Sequence, residues 1–178
     1  CAHSNTLKMF AFTNNLSLMR TQPMPYTIEA RREFLRLLAA YHSAFSALFH
    51  VLDRVPSDLS QVPSLAGGRS PAQVIAALCG SLEAGAHHYA QYERGKRFGG
   101  RYDADADKMV YINARSETDW HALTEELRTH WHHLFLAAVS ADVHERPNDF
   151  RYGEWLIGLT DECVRTTRQI DAFMSAPQ

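Results

Sequence analysis

The stretch GEWLIGLTDECVRTTRQI, residues 153–170, decides the fold class, because its apolar residues recur at the spacing of one helical face. The residues on this stripe follow one another at short helical steps: Trp155, Leu156, Leu159, Glu162, Thr166, Ile170 and Phe173. A helix that buries such a face ordinarily carries apolar residues there, because an unpaired buried carboxylate is costly. Glu162 and Thr166, at spacing i, i+4, therefore predict a site or the remains of one.

The composition is that of an ordinary globular protein. The chain has 178 residues, 46% of them hydrophobic and 21% charged, which fits a single domain with a proper core. The formal net charge of −2 gives no reason to expect nucleic acid as a partner. No uninterrupted apolar run approaches the roughly 18 residues of a membrane helix, so no membrane partner is expected either. We treat residues 1–24 as an N-terminal extension of unknown order and residues 25–178 as the domain.

The three cysteines indicate the redox compartment of the protein. Cys1, Cys79 and Cys163 are odd in number and far apart, and the last two lie within helical patterns. A reduced cysteine in such a place behaves as a small apolar residue. This favours a reducing cytoplasm over a disulfide framework.

Four helical patterns cover most of the domain. They run from about 27 to 55, from Ser70 to about 95, from about 116 or 118 past 138, and from after Pro147 to before Pro177. Only residues 108–112 alternate with period two, which is too short to predict a sheet. The roughly twenty residues at 96–117 are a long link for a compact domain. The pattern therefore predicts an all-α fold, a four-helix bundle with a long crossover between helices 2 and 3.

Three of these segments resemble the DinB-like superfamily. SPAQVIAALCGSLE (70–83) is similar to its second helix, INARSETDWHALTEELRTHWHHL (112–134) to the approach and body of its third, and residues 153–170 to its last. The resemblance spans about residues 27–174 and is greatest to the branch of DfsB-like and colibactin self-protection-like proteins. It implies a bundle of DinB type.

The resemblance also implies where a metal site would lie. The three histidines that hold the family's metal fall on Ala77, Glu162 and Thr166 in this chain. Alanine cannot ligate a metal and threonine is a poor ligand for zinc or nickel, so we expect no metal and no cofactor here. The metal- and thiol-dependent transferase chemistry of relatives would then need a displaced His/Glu site. The colibactin self-protection type, which lacks that triad and opens an electrophilic warhead by hydrolysis, is the better implied model.

The pattern predicts that further polar residues face the interior as Glu162 does. His42, His88 and His130 fall on apolar helix faces, and with Glu162 they form an alternative metal set. Facing one interior does not place side chains at one height, so we favour partly buried histidines bonded to their neighbours.

The most specific hypothesis is an enzyme that hydrolyses a small molecule. Glu162 or His42 would activate a water as general base, while Tyr41 or His130 orients the ligand. The expected pocket also includes a set of small or polar residues: Ala77, Ser81, His88 and Thr166. The sequence contains no nucleophile elbow, phosphate loop or HExxH motif. Two alternatives remain open: a non-catalytic ligand-binding protein, and a structural bundle that forms a homodimer.

Overall fold

The computed structural model describes residues 28–65, 67–93, 102–106, 108–143 and 151–176, and these residues form helices and turns without a strand. The helices are α1 (Ile28–Leu52), α2 (Pro71–Glu93), α3 (Met109–Ala114), α4 (Trp120–Val143) and α5 (Arg151–Ser175). The predicted all-α class is confirmed. The four periodic patterns correspond to α1, α2, α4 and α5, and the predicted extension at 1–24 lies outside the described residues.

The helix ends follow from local chemistry. The Ser70 hydroxyl accepts the backbone N–H of Gln73 at 3.2 Å, and the Gln73 side chain accepts the N–H of Ser70 at 3.0 Å, which is a capping box. Pro71 takes the first helical position, where a missing N–H costs nothing. The Asp119 carboxylate caps α4 by accepting the N–H of Ala122 at 3.0 Å.

The short helix α3 was not predicted. It lies inside the link that was predicted to be a crossover loop, and it overlaps residues 108–112, the stretch described above as alternating. A helix of less than two turns shows too few residues for its period to be told from that of a strand. In the structure Ile112 is buried and Val110 is exposed, and α3 packs against α2.

The four long helices close on one another around a shared core. α1 packs against α5 and α4, and α2 packs against the same two helices, so each long helix contacts two others. The largest fully buried side chains come from three of them: Tyr41, Phe45, Leu48 and Leu52 from α1, Ile75, Leu78, Leu82 and Tyr89 from α2, and Leu123, Leu127 and Leu134 from α4. α5 contributes the buried residues of the apolar stripe within 153–173, which include Leu156, Leu159 and Ile170.

By length and composition, α1 is apolar enough to cross a membrane. A core helix of a soluble protein passes the same test, and α1 buries Phe34, Phe45 and Leu48 within the protein, where it packs against α4 and α5. Its apolar residues therefore have protein partners along the buried face.

Candidate functional site

Glu162 is buried and each of its two carboxylate oxygens has a partner. The residue is 7% exposed on the inner face of α5. One carboxylate oxygen forms an ion pair with the ammonium of Lys108, and the other accepts a hydrogen bond from the hydroxyl of Tyr102. The Lys108 and Glu162 side chains are each 8% exposed. The buried carboxylate predicted from the sequence therefore has two partners, and neither was among the predicted site residues.

Two glycines explain how the segment that carries these partners lies so close to α5 and α2. A Cβ atom on Gly158 would collide with the ring of Tyr102, so the ring lies directly on the backbone of α5, one turn before Glu162. A Cβ atom on Gly80 would likewise collide with the ring of Tyr111, which lies on α2. Glycine is the residue that permits such close approach. We call residues 102–106 and 108–114 the docked segment, since ring-on-glycine contacts hold it to α5 and α2.

Successive ring contacts connect Tyr102, the partner of Glu162, to Trp155 and then to α2. Tyr102 meets Trp155 edge to face, with ring centroids 5.5 Å apart and an interplanar angle of 78°. Trp155 in turn lies 5.0 Å from the ring of His88 on α2. The ammonium of Lys108 is 5.9 Å from the centroid of the Tyr102 ring. We call Tyr102, Lys108, Glu162, Trp155 and His88 the Glu162 cluster.

The environment shifts the pKa values of two members of the cluster. Burial, then the charge of Glu162 and the hydrogen bond to it, raise the pKa of Tyr102 far above its ordinary value. Burial, then the neighbouring His87, lower the pKa of His88. Tyr102 is therefore a phenol that keeps its proton at neutral pH, and His88 favours the neutral imidazole.

The other polar and small residues predicted near Glu162 lie in the interior. Thr166 is 2% exposed, one turn after Glu162 on α5, and Ala77 and Ser81 are buried on α2. The Ser81 hydroxyl donates to the backbone carbonyl of Ala77 at 3.2 Å, a bond within its own helix. Ser81 therefore has its donor satisfied locally.

Tyr41 was predicted to orient a ligand, and it is completely buried. Its hydroxyl donates to the backbone carbonyl of Trp131 on α4 at 3.4 Å. Burial, then its proximity to Cys163 and Tyr89, raise the pKa of Tyr41 well above its ordinary value. Its position is that of a core tyrosine joining α1 to α4.

The prediction that His42 faces the interior is wrong. His42 is exposed, and its ring contacts Trp131 and Phe135 of α4, with centroids 5.5 and 5.7 Å away. The reason is helical geometry: the buried stripe passes through Tyr41, and the next residue points about 100° away from it. His42 borders an aromatic surface between α1 and α4.

His130 lies on α4 and belongs to an ion network separate from the Glu162 cluster. Its ring lies 3.2 Å from the carboxylate of Glu126, which also binds Arg115, and Arg115 reaches Glu83 on α2. Partial burial would raise the pKa of Glu126, but the hydrogen bond and charge of Arg115, followed by those of His130, outweigh it and lower that pKa. His130 is therefore part of a link between α2, the end of α3 and α4.

The alternative metal set does not assemble. His42, His88, His130 and Glu162 each have the separate contacts described above. Across the part of the chain that the structure describes, no three His, Cys, Asp or Glu side chains are placed to hold a metal ion together. The sequence signal that could have pointed to the actual cluster is the pair of glycines at 80 and 158, which lie inside strongly periodic helices where glycine is unfavourable.

Comparison with known proteins adds a fold and no function. The chain matches no protein-family model and no curated protein. It is similar to the crystal structure of an uncharacterised protein from Escherichia coli UTI89, with a TM-score of 0.64 and 14% sequence identity over 78% of this chain and 91% of the other. At that identity the likeness shows a shared fold alone.

Proposed function

We propose that the chain is a DinB-type four-helix bundle that binds a small molecule and hydrolyses an electrophilic metabolite at the Glu162 cluster. In this proposal the docked segment belongs to the crossover between the second and third long helices. The observation that carries the proposal is the buried carboxylate of Glu162, held by Lys108 and by Tyr102, whose ring also contacts Trp155.

Packing alone does not require such a cluster. Well-packed apolar residues often stabilise a core as much as a buried ion pair does, or more, so the pair is weak evidence of a stabilising role. Aromatic walls with a few convergent polar groups are the usual lining of a small-molecule site. Clusters of interacting ionisable groups in protein interiors are also enriched at functional sites. Together these arguments favour a site at Glu162.

The chemistry that fits the cluster is water addition to an electrophile. Glu162 would accept a proton from the attacking water as general base, a role that needs an oriented carboxylate. Trp155 and the His88 ring would pack against the apolar part of the substrate. The role of base passes to Glu162 alone, because His42 lies against α4 on the surface. The buried thiols Cys79 and Cys163 fit a protein of the reducing cytoplasm.

A structural role is the second candidate, and one observation favours it. Lys108 and Tyr102 occupy both oxygens of Glu162, as they would if the cluster only fastened the docked segment to α5. Under that reading the protein is a bundle without turnover, alone or as a homodimer. The two candidates differ in whether loss of Glu162 removes an activity.

The test is turnover of strained-ring electrophiles. The purified protein is incubated with styrene oxide, an N-acyl aziridine and an activated cyclopropane, and water addition is measured by mass spectrometry. We expect at least one probe to be hydrolysed by the wild type and Glu162→Gln to abolish that hydrolysis. Asp161→Asn is the matched control, since Asp161 is the exposed carboxylate next to it on α5. Equal rates in the wild type, Glu162→Gln and buffer would contradict the proposal.

A further inference from the structure

We infer that Tyr102 is the proton donor of this hydrolysis, and that Lys108 is a positioning residue that holds the carboxylate of Glu162 in place for it. This inference rests on the proposed function and assigns roles to two residues in a link whose length alone drew attention in the sequence. It commits to a division of labour between the two partners of one carboxylate.

The geometry distinguishes the two partners. Lys108 binds one carboxylate oxygen and Tyr102 the other, so the two bonds can change independently. Lys108 is buried, whereas Tyr102 is half-buried and precedes the exposed residues 103–106. Tyr102 is thus the partner of Glu162 that is more accessible from solvent. Tyr102 is therefore the partner that can exchange its bond to Glu162 for a bond to a substrate.

Lys108 is placed to prevent rotation of the carboxylate during that exchange. The lysine holds one oxygen from the docked segment, whose Tyr111 ring anchors it to Gly80 of α2. A group held by a fixed charge costs no reorganisation when the reaction begins. Glu162 then keeps its second oxygen directed towards the space that the Tyr102 hydroxyl vacates, where a water can bind.

The step balances without a further reactant. For an epoxide, the water oxygen bonds to a ring carbon while the ring C–O bond breaks and its electron pair moves to the departing oxygen. Glu162 takes one proton of the water, and Tyr102 gives its proton to the departing oxygen. The reaction leaves a protonated Glu162 and a Tyr102 phenolate; once the diol has departed, the hydrogen bond between these residues forms again and the proton returns from Glu162 to Tyr102. The net reaction is the addition of one water.

The electrostatics of the pair make the two transfers cooperative. Burial comes first and the charge of Glu162 second among the causes that raise the pKa of Tyr102. When Glu162 accepts the proton of the water, that charge disappears and the phenol becomes a stronger acid. Tyr102 therefore donates most readily at the moment when the departing oxygen develops charge. In the resting protein the charge of Glu162 is present, and the raised pKa of Tyr102 keeps the phenol protonated.

The experiment compares single substitutions on whichever strained-ring probe the wild type hydrolyses. We expect Tyr102→Phe to lower kcat by about 100-fold or more, the usual scale of general acid catalysis, with KM changed by no more than about threefold. Tyr111→Phe is the matched control: it removes the hydroxyl of the other tyrosine of the docked segment that lies on a glycine, and should leave kcat unchanged.

Lys108 is tested by rescue. We expect Lys108→Met to lower kcat and Lys108→Arg to retain most of the wild-type kcat, because arginine keeps a positive charge beside the carboxylate of Glu162. Thermal unfolding of each variant separates this effect from loss of structure, since a merely structural lysine would change Tm without a drop in kcat of the folded fraction.

The outcomes separate the two levels of the proposal. If no strained-ring probe is hydrolysed by the wild type, the proposed function fails and this inference fails with it. If the wild type and Tyr102→Phe hydrolyse a probe equally while Glu162→Gln does not, the function stands and the donor assignment is overturned. If Lys108→Met keeps full kcat, the positioning role is overturned.

Discussion

Removal of the Lys108 ammonium is the most informative perturbation of this protein. Lys108→Met keeps an unbranched side chain, shorter only by the terminal nitrogen, but leaves the carboxylate of Glu162 in an interior where both side chains are 8% exposed. Breaking a buried ion pair by removing one partner costs about 3–5 kcal/mol of unfolding free energy. For a domain of this size each kcal/mol lowers Tm by about 2–4 °C. We therefore expect Lys108→Met to unfold about 6–20 °C below the wild type.

The double variant distinguishes the interaction between the two charges from the packing of the two side chains. Glu162→Leu alone should also destabilise, because it leaves the lysine ammonium buried. Lys108→Met with Glu162→Leu removes both charges, and apolar replacement of a buried pair is often neutral or stabilising. The double variant should consequently lose much less than the sum of the singles, with a coupling energy of about 2 kcal/mol or more.

Equilibrium unfolding in urea, followed by far-ultraviolet circular dichroism, measures all four corners of this cycle. Arg54→Met is the control, because the ion pair of Arg54 with Asp171 has side chains 60% and 52% exposed. Such surface pairs contribute about 0–1 kcal/mol. Additive single effects, or a loss below about 1 kcal/mol in Lys108→Met, would refute the description of Lys108 and Glu162 as a buried, coupled pair.

Three further predictions test other parts of the structure. Gly158→Ala should destabilise the protein and alter its near-ultraviolet circular dichroism, because the new methyl displaces the Tyr102 ring, whereas Gly153→Ala on the same helix meets only a flexible leucine methyl at 3.1 Å and should be tolerated. The pKa of Tyr102 is raised in the folded state, so its contribution to stability is complete below the ordinary pKa of 10.0 and is lost as the pH rises through the folded-state pKa. The wild type should therefore lose stability above about pH 10 more steeply than Tyr102→Phe, as alkaline unfolding curves would show. Burial raises the pKa of Cys79 and of Cys163 to about 12, so in a variant without the cysteine at position 1 a thiol reagent should modify neither residue until denaturant is added.

The helices could be predicted because their signals are local. The buried stripe of α5 is visible as apolar residues three and four positions apart, and Ser70, Pro71 and Gln73 are the residues typical of a helix start, here that of α2. Each of these signals involves residues within one or two turns of each other, so a single sequence contains them whole. The same reasoning correctly expected Glu162 and Thr166 in the interior.

The sequence reading failed where one turn of helix had to be resolved. His42 was placed in the interior although the neighbouring Tyr41 occupies that direction, and α3 was missed because a six-residue helix shows less than two turns of its period. Periodicity averages over a face and does not fix the direction of one side chain to better than a residue's rotation of about 100°.

By itself, the sequence determined an all-helical chain with a carboxylate on a buried face. Only the tertiary structure decided what that carboxylate binds, because Lys108 and Tyr102 lie 54 and 60 residues away from Glu162. No local pattern encodes a contact across such a separation: it forms when the docked segment folds back and two glycines let its rings reach the helices. The charge on α5 is a property of one helix, whereas its pairing is a property of the packed assembly.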